Sequence, residues 1–152
     1  MKDVKSMSQR IENDHKALHK ALNQIDNAFE EIPDTTTFKT WKIELLWQLR
    51  DFLNQLQKHF DLEESGGFNE ELSRIAPQLL SKVEHLEEEH LKIVSDLTHI
   101  LGVLKAVHHP DSGKLERVQH RVEALTAFIR AHEAAEHAII QEAYFQDYGV
   151  GD

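Results

Sequence analysis

Six ionisable residues stand where a repeating pattern of apolar residues would otherwise continue. Apolar positions recur at alternating spacings of three and four in four segments, which is typical of helices that bury one face. The first and third segments each carry one histidine in this stripe, and the second and fourth each carry His-x-x-x-Glu. Residues four apart lie on one helix face, so such a pair directs a nitrogen and an oxygen to one place. The six residues are His15, His59, Glu63, His90, His132 and Glu136.

These side chains predict a metal site. An unpaired buried carboxylate destabilises a fold by several kcal/mol, so something must compensate for two carboxylates and four imidazoles in a core. This set of nitrogen and oxygen donors suits iron first, and then manganese or zinc. A single ion uses three or four protein ligands more simply, so six ligands indicate two ions. We expect Glu63 and Glu136 to bridge the ions and the histidines to be terminal ligands.

The elements that must position these residues are four helices. Breaks follow Pro33, lie at Ser65-Gly66-Gly67, and lie at His109-Pro110-Asp111-Ser112-Gly113. Short loops between long amphipathic helices favour an all-α fold, an antiparallel up-down-up-down four-helix bundle. Because each half carries His and then His-x-x-x-Glu, we predict an internal pseudo-twofold repeat of two helical hairpins. The predicted helices cover about residues 8–32, 38–64, 77–108 and 112–146, with Ser8, Thr37 and Ser112 as N-caps.

The composition excludes several classes of protein. The chain has 152 residues, and we predict one domain over residues 1–152. It contains no cysteine, which excludes disulfide scaffolds, thiolate metal sites and cysteine nucleophiles. Its 27 acidic and 17 basic residues give a net charge of −10, which predicts no nucleic-acid partner. Histidine is abundant, with 11 residues, so its placement carries most of the information about function.

Neither a membrane span nor a secretory signal is predicted. No apolar run approaches the ~20 residues that cross a bilayer, so we expect no membrane partner. The first residues lack the apolar core of a secretory signal, and we therefore expect a cytoplasmic location. The sequence leaves open whether the protein is a monomer or a dimer.

The motifs resemble the hemerythrin-like, or HHE cation-binding, family from about residue 8 to residue 146. This resemblance implies a non-haem centre of two iron ions, oxo- or hydroxo-bridged, that meets O₂, peroxide or NO. It implies that the four histidines are terminal ligands and that the two glutamates bridge the irons. The motifs that carry the resemblance are Asp14-His15-x-x-Leu18, His59-x-x-x-Glu63-Glu64, Glu89-His90 and His132-x-x-x-Glu136.

The chain departs from the oxygen-carrying hemerythrins at two places. Those proteins have a second histidine one turn along the third helix, where this chain has Leu86 and Val94. They also place the last carboxylate five residues after its histidine, where this chain has His137. Reversible O₂ carriage is therefore not what the resemblance favours. A fifth nitrogen could come from His19, one turn beyond His15, whereas His85 and His137 are displaced around their helices.

Several functions fit this pattern. One is a small redox enzyme or scavenger that deals with O₂, peroxide or NO. Another is a module that senses or buffers iron or O₂ without turnover. A third is a ferritin-like di-iron carboxylate oxidase, because Glu12-x-x-His15 and Glu87-x-x-His90 match the Glu-x-x-His of those proteins. The fourth is a helical bundle without metal.

Overall fold

The computed structural model describes residues 4–111 and 113–146, with side chains described for residues 6–111 and 113–144. Within these residues the fold is all-α, and five helices pack antiparallel. Their bounds are α1 Val4–Ala28, α2 Phe38–Glu64, α3 Phe68–Ile75, α4 Leu80–Lys105 and α5 Gly113–Gln141. A 3₁₀ turn, Pro77–Leu79, leads into α4, and a π-helical turn, Glu142–Gln146, follows α5.

The four long helices pack side by side through their apolar stripes. Helix α1 contacts α2 and α5, and α4 contacts the same two helices from the other side. In α1 the buried residues Ile11, Leu18, Leu22 and Ile25 follow the predicted spacing of three and four. This packing brings one face of every long helix to a common interior.

Helix α1 differs from the predicted range at both ends. It begins before the predicted N-cap Ser8 and ends at Ala28 rather than near residue 32. After Ala28 the amides of Phe29 and Glu30 bond three residues back, to Asp26 and Asn27 carbonyls at 3.2 and 3.1 Å. Pro33 disfavours helical backbone in the residue before it, so the chain leaves the helix here.

The start of α2 is stabilised differently from the prediction. Thr37 occupies the N-cap position but makes no capping bond with its side chain. Instead, Asp34 accepts hydrogen bonds from the Thr37 amide at 2.9 Å and from the Thr37 hydroxyl at 3.0 Å. The third predicted N-cap, Ser112, lies outside the described residues.

Helix α3 occupies a segment that was expected to be a connection. Gly67 has a φ of 87°, which reverses the chain after α2, and a Cβ on Gly66 would lie 2.2 Å from the Leu62 carbonyl oxygen. The eight residues that follow bury Phe68 and Leu72, which are four apart on one face. Burying two such side chains contributes roughly 1.5–3 kcal/mol each, enough to hold a helix too short to be stable alone.

Two apolar clusters divide the interior. The larger includes Leu18 and Leu22 of α1 and Ile93 and Leu97 of α4. The smaller includes Met7 and Ile11 of α1, Phe68 and Leu72 of α3, Val83 and Leu86 of α4, and Ile139 and Ile140 of α5. Along α1, α4 and α5, the predicted metal ligands lie between residues of one cluster and residues of the other. Helix α3 therefore helps to cover the layer that contains them.

Among the described residues, no helix is both long enough and apolar enough to cross a membrane.

Candidate metal centre

The four long helices bring all six predicted ligands into one layer of the core. Five of them expose 4% of their surface or less. His15 is the exception, because its side chain remains 12% exposed. We call the six residues the polar cluster, with an α1–α2 half (His15 and His59), an α4–α5 half (His90 and His132), and the two glutamates Glu63 and Glu136.

Glu136 joins the two halves. Its Oε1 lies 3.0 Å from Nε2 of His15 and 3.7 Å from Nε2 of His59, and its Oε2 lies 3.6 Å from Nε2 of His132. The cluster therefore contains two overlapping triads that could hold metal ions. In each triad the ligand atoms lie within 4.8 Å of one another: His15, His59 and Glu136 in one, and His90, His132 and Glu136 in the other.

Glu63 also spans the halves, from the opposite helix. Its Oε1 lies 3.2 Å from Nε2 of His59 and 3.5 Å from Nε2 of His90. The two glutamates thus each contact one imidazole or more of both halves. This is the arrangement that two bridging carboxylates require.

The spacing of the donor atoms matches a coordination shell. Two donors that each lie about 2.1 Å from one ion are about 3.0 Å apart at a right angle and about 3.4 Å apart at the tetrahedral angle. The nitrogen–oxygen distances within the polar cluster run from 3.0 to 3.7 Å. The imidazoles and carboxylates are therefore already near the edge lengths of a metal polyhedron.

The same atoms lack hydrogen bonds. The Nε2 atoms of all four histidines, both carboxylate oxygens of Glu63 and Oε1 of Glu136 are buried without a partner in hydrogen-bonding geometry. Each buried polar group left in this way destabilises the fold by about 1–3 kcal/mol. Coordination of a metal ion satisfies an imidazole nitrogen and a carboxylate oxygen together, so the residues fit such an ion.

Three of the four imidazoles have a carboxylate behind them, that is, at Nδ1, the ring nitrogen opposite the metal-facing Nε2. Asp14 lies 3.2 Å from Nδ1 of His59. Glu64 lies 2.8 Å from Nδ1 of His90, and Glu89 lies 2.9 Å from Nδ1 of His132. A proton on Nδ1 that is donated to a carboxylate leaves the Nε2 lone pair free for a metal ion and fixes the orientation of the ring.

These carboxylates are part of the sequence motifs, but the sequence alone does not predict that they contact the imidazoles. Asp14 precedes His15 in the chain but contacts Nδ1 of His59 on α2. Glu89 precedes His90 but contacts Nδ1 of His132 on α5. Successive residues point about 100° apart around a helix, so the neighbour of a ligand faces the adjacent helix. The acidic residues next to His15, Glu63 and His90 in the chain were the signal that could have identified them.

The environment shifts the pKa values of His59 and His90 in opposite directions. Burial, followed by the neighbouring His132, lowers the pKa of His90 to about 3, so this imidazole is neutral and able to bind metal. Burial also acts to lower the pKa of His59, but the nearby carboxylate of Glu136, followed by that of Asp14, outweighs it. The pKa of His59 therefore lies above its ordinary value.

The pKa values of the two glutamates are shifted in opposite directions. Burial and the adjacent charge of Glu136 raise the pKa of Glu63 well above its ordinary value. Burial acts in the same direction on Glu136, but the adjacent Glu63, His15 and His59 outweigh it and lower its pKa. A carboxylate must be ionised to bind metal, so the raised pKa of Glu63 makes metal binding compete with protonation at this residue.

Phe60 packs directly on the polar cluster and was not singled out from the sequence. Its ring stacks on His90 with centroids 3.8 Å apart and planes 11° apart, and it meets the edge of His132 at 6.0 Å. The contact restricts both imidazoles of the α4–α5 half. A single phenylalanine in an apolar stripe gives no sequence signal that separates it from ordinary core residues.

The remaining candidate histidines lie outside both triads. His19, considered as a fifth nitrogen, contacts Glu133 through its Nε2 instead. His85 is exposed, and its Nε2 lies 3.7 Å from Glu89. His137 is also exposed, with its Nδ1 3.8 Å from Glu12.

The ferritin-like alternative requires Glu12 and Glu87 near the ions. Glu12 lies 3.8 Å from Nδ1 of His137, and Glu87 accepts a hydrogen bond from Asn69 at 3.5 Å. Neither glutamate belongs to the metal-compatible triads found among the described residues. Glu87 instead interacts with Glu64, the carboxylate behind His90.

Comparisons with known proteins found no match to a family model, to a curated protein or to a solved structure. The function is therefore inferred from the polar cluster itself.

Proposed function

We propose that this protein binds two metal ions in the polar cluster, with Glu63 and Glu136 bridging them. One observation carries the proposal: four buried imidazole Nε2 atoms without hydrogen bonds face two buried carboxylates. A structural bundle without metal has no use for such a layer. Each ion would take the two imidazoles of one half and one oxygen of each glutamate.

Iron is the metal we propose first. Imidazole nitrogen and carboxylate oxygen are borderline-to-hard donors, which suit iron, with manganese and zinc as the alternatives. The charges also favour divalent ions. The two bridging glutamates are supplemented by Asp14, Glu64 and Glu89, whose negative charges lie behind the imidazoles.

We further propose that the protein is hemerythrin-like. The proposal is supported by the chain order of the ligands and by their placement on four long antiparallel helices. In this interpretation α1 with α2 and α4 with α5 are two related hairpins, and α3 is an insertion between them. The absence of a second histidine one turn from His90 on α4, where the chain has Leu86 and Val94, favours a reaction with O₂, peroxide or NO over reversible O₂ carriage.

The chain's own residues would prepare the centre for this chemistry. When bound, two ferrous ions supply two electrons to a small oxidant. The imidazoles hold the ions, and the carboxylates behind them fix the ring orientations. The two apolar clusters on either side keep bulk water from the layer and strengthen its electrostatic interactions.

The unequal support of the two halves favours a second function, the sensing or buffering of iron. His15 is the most exposed ligand, and an ion held by the α1–α2 half would exchange with solvent more readily. Reversible occupancy of one position is what a sensor or buffer needs.

The test combines metal analysis with spectroscopy. Protein produced in iron-replete medium should contain two iron ions per chain and show the near-ultraviolet absorption of a bridged di-iron pair. The variant His132→Ala should lose metal and this absorption, whereas His120→Ala, at an exposed position on the same helix, should retain both. Metal-free protein after reconstitution with ferrous iron contradicts the proposal. Steady-state turnover of peroxide separates a redox enzyme from a sensor.

A further inference from the structure

Glu133 is a buried carboxylate that the polar cluster does not use. It is 5% exposed, and neither of its carboxylate oxygens has a partner in hydrogen-bonding geometry. Burying a charged carboxylate without a partner strongly destabilises a fold, so a cation bound at Glu133 stabilises this one.

His19 lies against this carboxylate from α1. Its Nε2 contacts Oε2 of Glu133, and 47% of its side chain is exposed to solvent. The pair therefore combines an imidazole on a residue that solvent reaches with a carboxylate buried next to it. These are the same donor types that form the polar cluster.

The pair lies about one helical turn from the polar cluster. His19 follows His15 by one helical turn, and Glu133 precedes Glu136 by nearly one turn. The contact of His19 with Glu133 thus has the same donor types as the contact of His15 with Glu136, whose Nε2 and Oε1 atoms are 3.0 Å apart. It lies about one helical turn away from that contact. His15 is also the ligand that remains most exposed.

A neighbouring arginine does not occupy the pair. Arg130 lies near Glu133 on α5, but its guanidinium is engaged by Asp26 at 3.0 Å and by Asn23 at 2.9 Å. Those partners lie further along α1, away from the polar cluster. The carboxylate of Glu133 remains available to a second cation.

We propose that His19 and Glu133 form a loading site, which captures a divalent metal ion from solvent and passes it to the α1–α2 half. This inference rests on the proposed dinuclear centre. Two protein ligands and water hold an ion weakly, which suits transfer rather than storage. The net charge of −10 favours the encounter with cations.

The test measures the rate of metal uptake, with Co²⁺ as the probe. Metal-free full-length protein is mixed with Co²⁺ in a stopped-flow instrument, and the visible absorption of bound Co²⁺ is followed. In His19→Ala and Glu133→Gln we expect uptake about tenfold slower, at the lower end of electrostatic effects on association rates. The final number of bound ions should equal that of the parent. Circular dichroism checks that both variants keep their helix content.

The control is the pair His137 and Glu12, which joins the same two helices but has an exposed histidine and a partly exposed glutamate in place of a buried one. His137→Ala and Glu12→Gln should load at the parental rate. Equal slowing in these controls, parental rates in the loading-site variants, or a loss of bound ions at saturation each overturn the loading site. If the parent itself binds no Co²⁺, the dinuclear centre is wrong as well, so the two failures are distinguishable.

Discussion

The two halves of the polar cluster carry the same ligand types but hold them differently. In the α4–α5 half, Glu64 and Glu89 lie 2.8 and 2.9 Å behind His90 and His132. In the α1–α2 half, Asp14 lies 3.2 Å behind His59. Among the described residues, no carboxylate is found behind His15. The α4–α5 half also has Phe60 stacked on one of its rings.

This difference means that a repeated sequence motif has unequal surroundings in the two halves. The ligands come from matching positions in the two halves of the chain, but the residues around them do not match. Rings that are already oriented lose less freedom on binding, so preorganised ligands bind more tightly. We therefore expect the α4–α5 half to bind the first ion and the α1–α2 half to bind the second.

The strongest test compares the loss of one terminal ligand from each half. In His15→Ala the α4–α5 half stays intact, so we expect one ion per chain to remain. In His132→Ala the better-organised half is broken, and we expect less than one ion per chain. Metal content after gel filtration measures both. Equal retention by the two variants would show that the halves are equivalent.

Stepwise removal of metal should show the same order in thermal unfolding. An ion present at about 100 times its Kd stabilises the native state by about 2.7 kcal/mol. For a chain of this size, that corresponds to about 5–10 °C in Tm. We expect mild chelation to remove the α1–α2 ion and lower Tm by one such step, and strong chelation to lower it again. Calorimetry of a chelator series measures this, and a single transition from full to metal-free protein contradicts unequal halves.

The long helices and the layer that holds the polar cluster could be predicted because each depends on a period. Apolar stripes at helical spacing fix which face is buried, and a polar residue in the stripe must enter the core. His15 and His90 therefore meet the His-x-x-x-Glu pairs of α2 and α5, as the structure shows. Whether these residues ligate metal stays a prediction.

The residues that distinguish the halves could not be predicted in this way. Glu64 and Glu89 act across helix interfaces, so their role depends on the rotation of two helices relative to each other. Helix α3 is too short to show a period, with only Phe68 and Leu72 buried four apart. His19 occupies a position one turn from a ligand, and only the packing of α1 against α5 places it on Glu133.

The carboxylates behind the imidazoles give the next test. Glu89→Gln keeps the volume but weakens the acceptor of the His132 Nδ1 proton. We expect the affinity of the first ion to fall by about 10–100-fold, the usual effect of losing such a partner. Asp14→Asn should lower the metal affinity less, because the contact of Asp14 with Nδ1 of His59 is longer and the Asp14 side chain is half-exposed. Zn²⁺ competition with a chromophoric chelator measures both.

A neighbouring glutamate provides the control for this pair. Glu88 is exposed and lies beside Glu89 on α4, so Glu88→Gln changes the same charge without contacting an imidazole ligand. It should bind Zn²⁺ as the parent does. If Asp14→Asn weakens binding more than Glu89→Gln, the order of the halves is reversed.

The smallest expected difference is in the pH dependence of the two ions. A proton competes with metal for each imidazole, and this competition costs about tenfold in affinity for each pH unit below the pKa. The pKa of His59 lies above its ordinary value, whereas that of His90 is about 3. On acidification His59 therefore gains its competing proton before His90 does. Protonation of Glu63 weakens the binding of both ions alike, because this carboxylate faces both halves.

We thus expect the ion of the α1–α2 half to leave as the pH falls through the range around the raised pKa of His59, while the ion beside His90 stays bound. In metal-free protein the sign for His59 is opposite. Its raised pKa stabilises the native state at low pH, and this contribution disappears as the pH rises through the folded-state pKa. Metal-loaded and metal-free protein should therefore respond to acid in opposite directions at His59. Zn²⁺ stoichiometry and Tm across this range measure both effects, and simultaneous loss of the two ions would mean that protonation of the shared glutamates, not of the imidazoles, controls release.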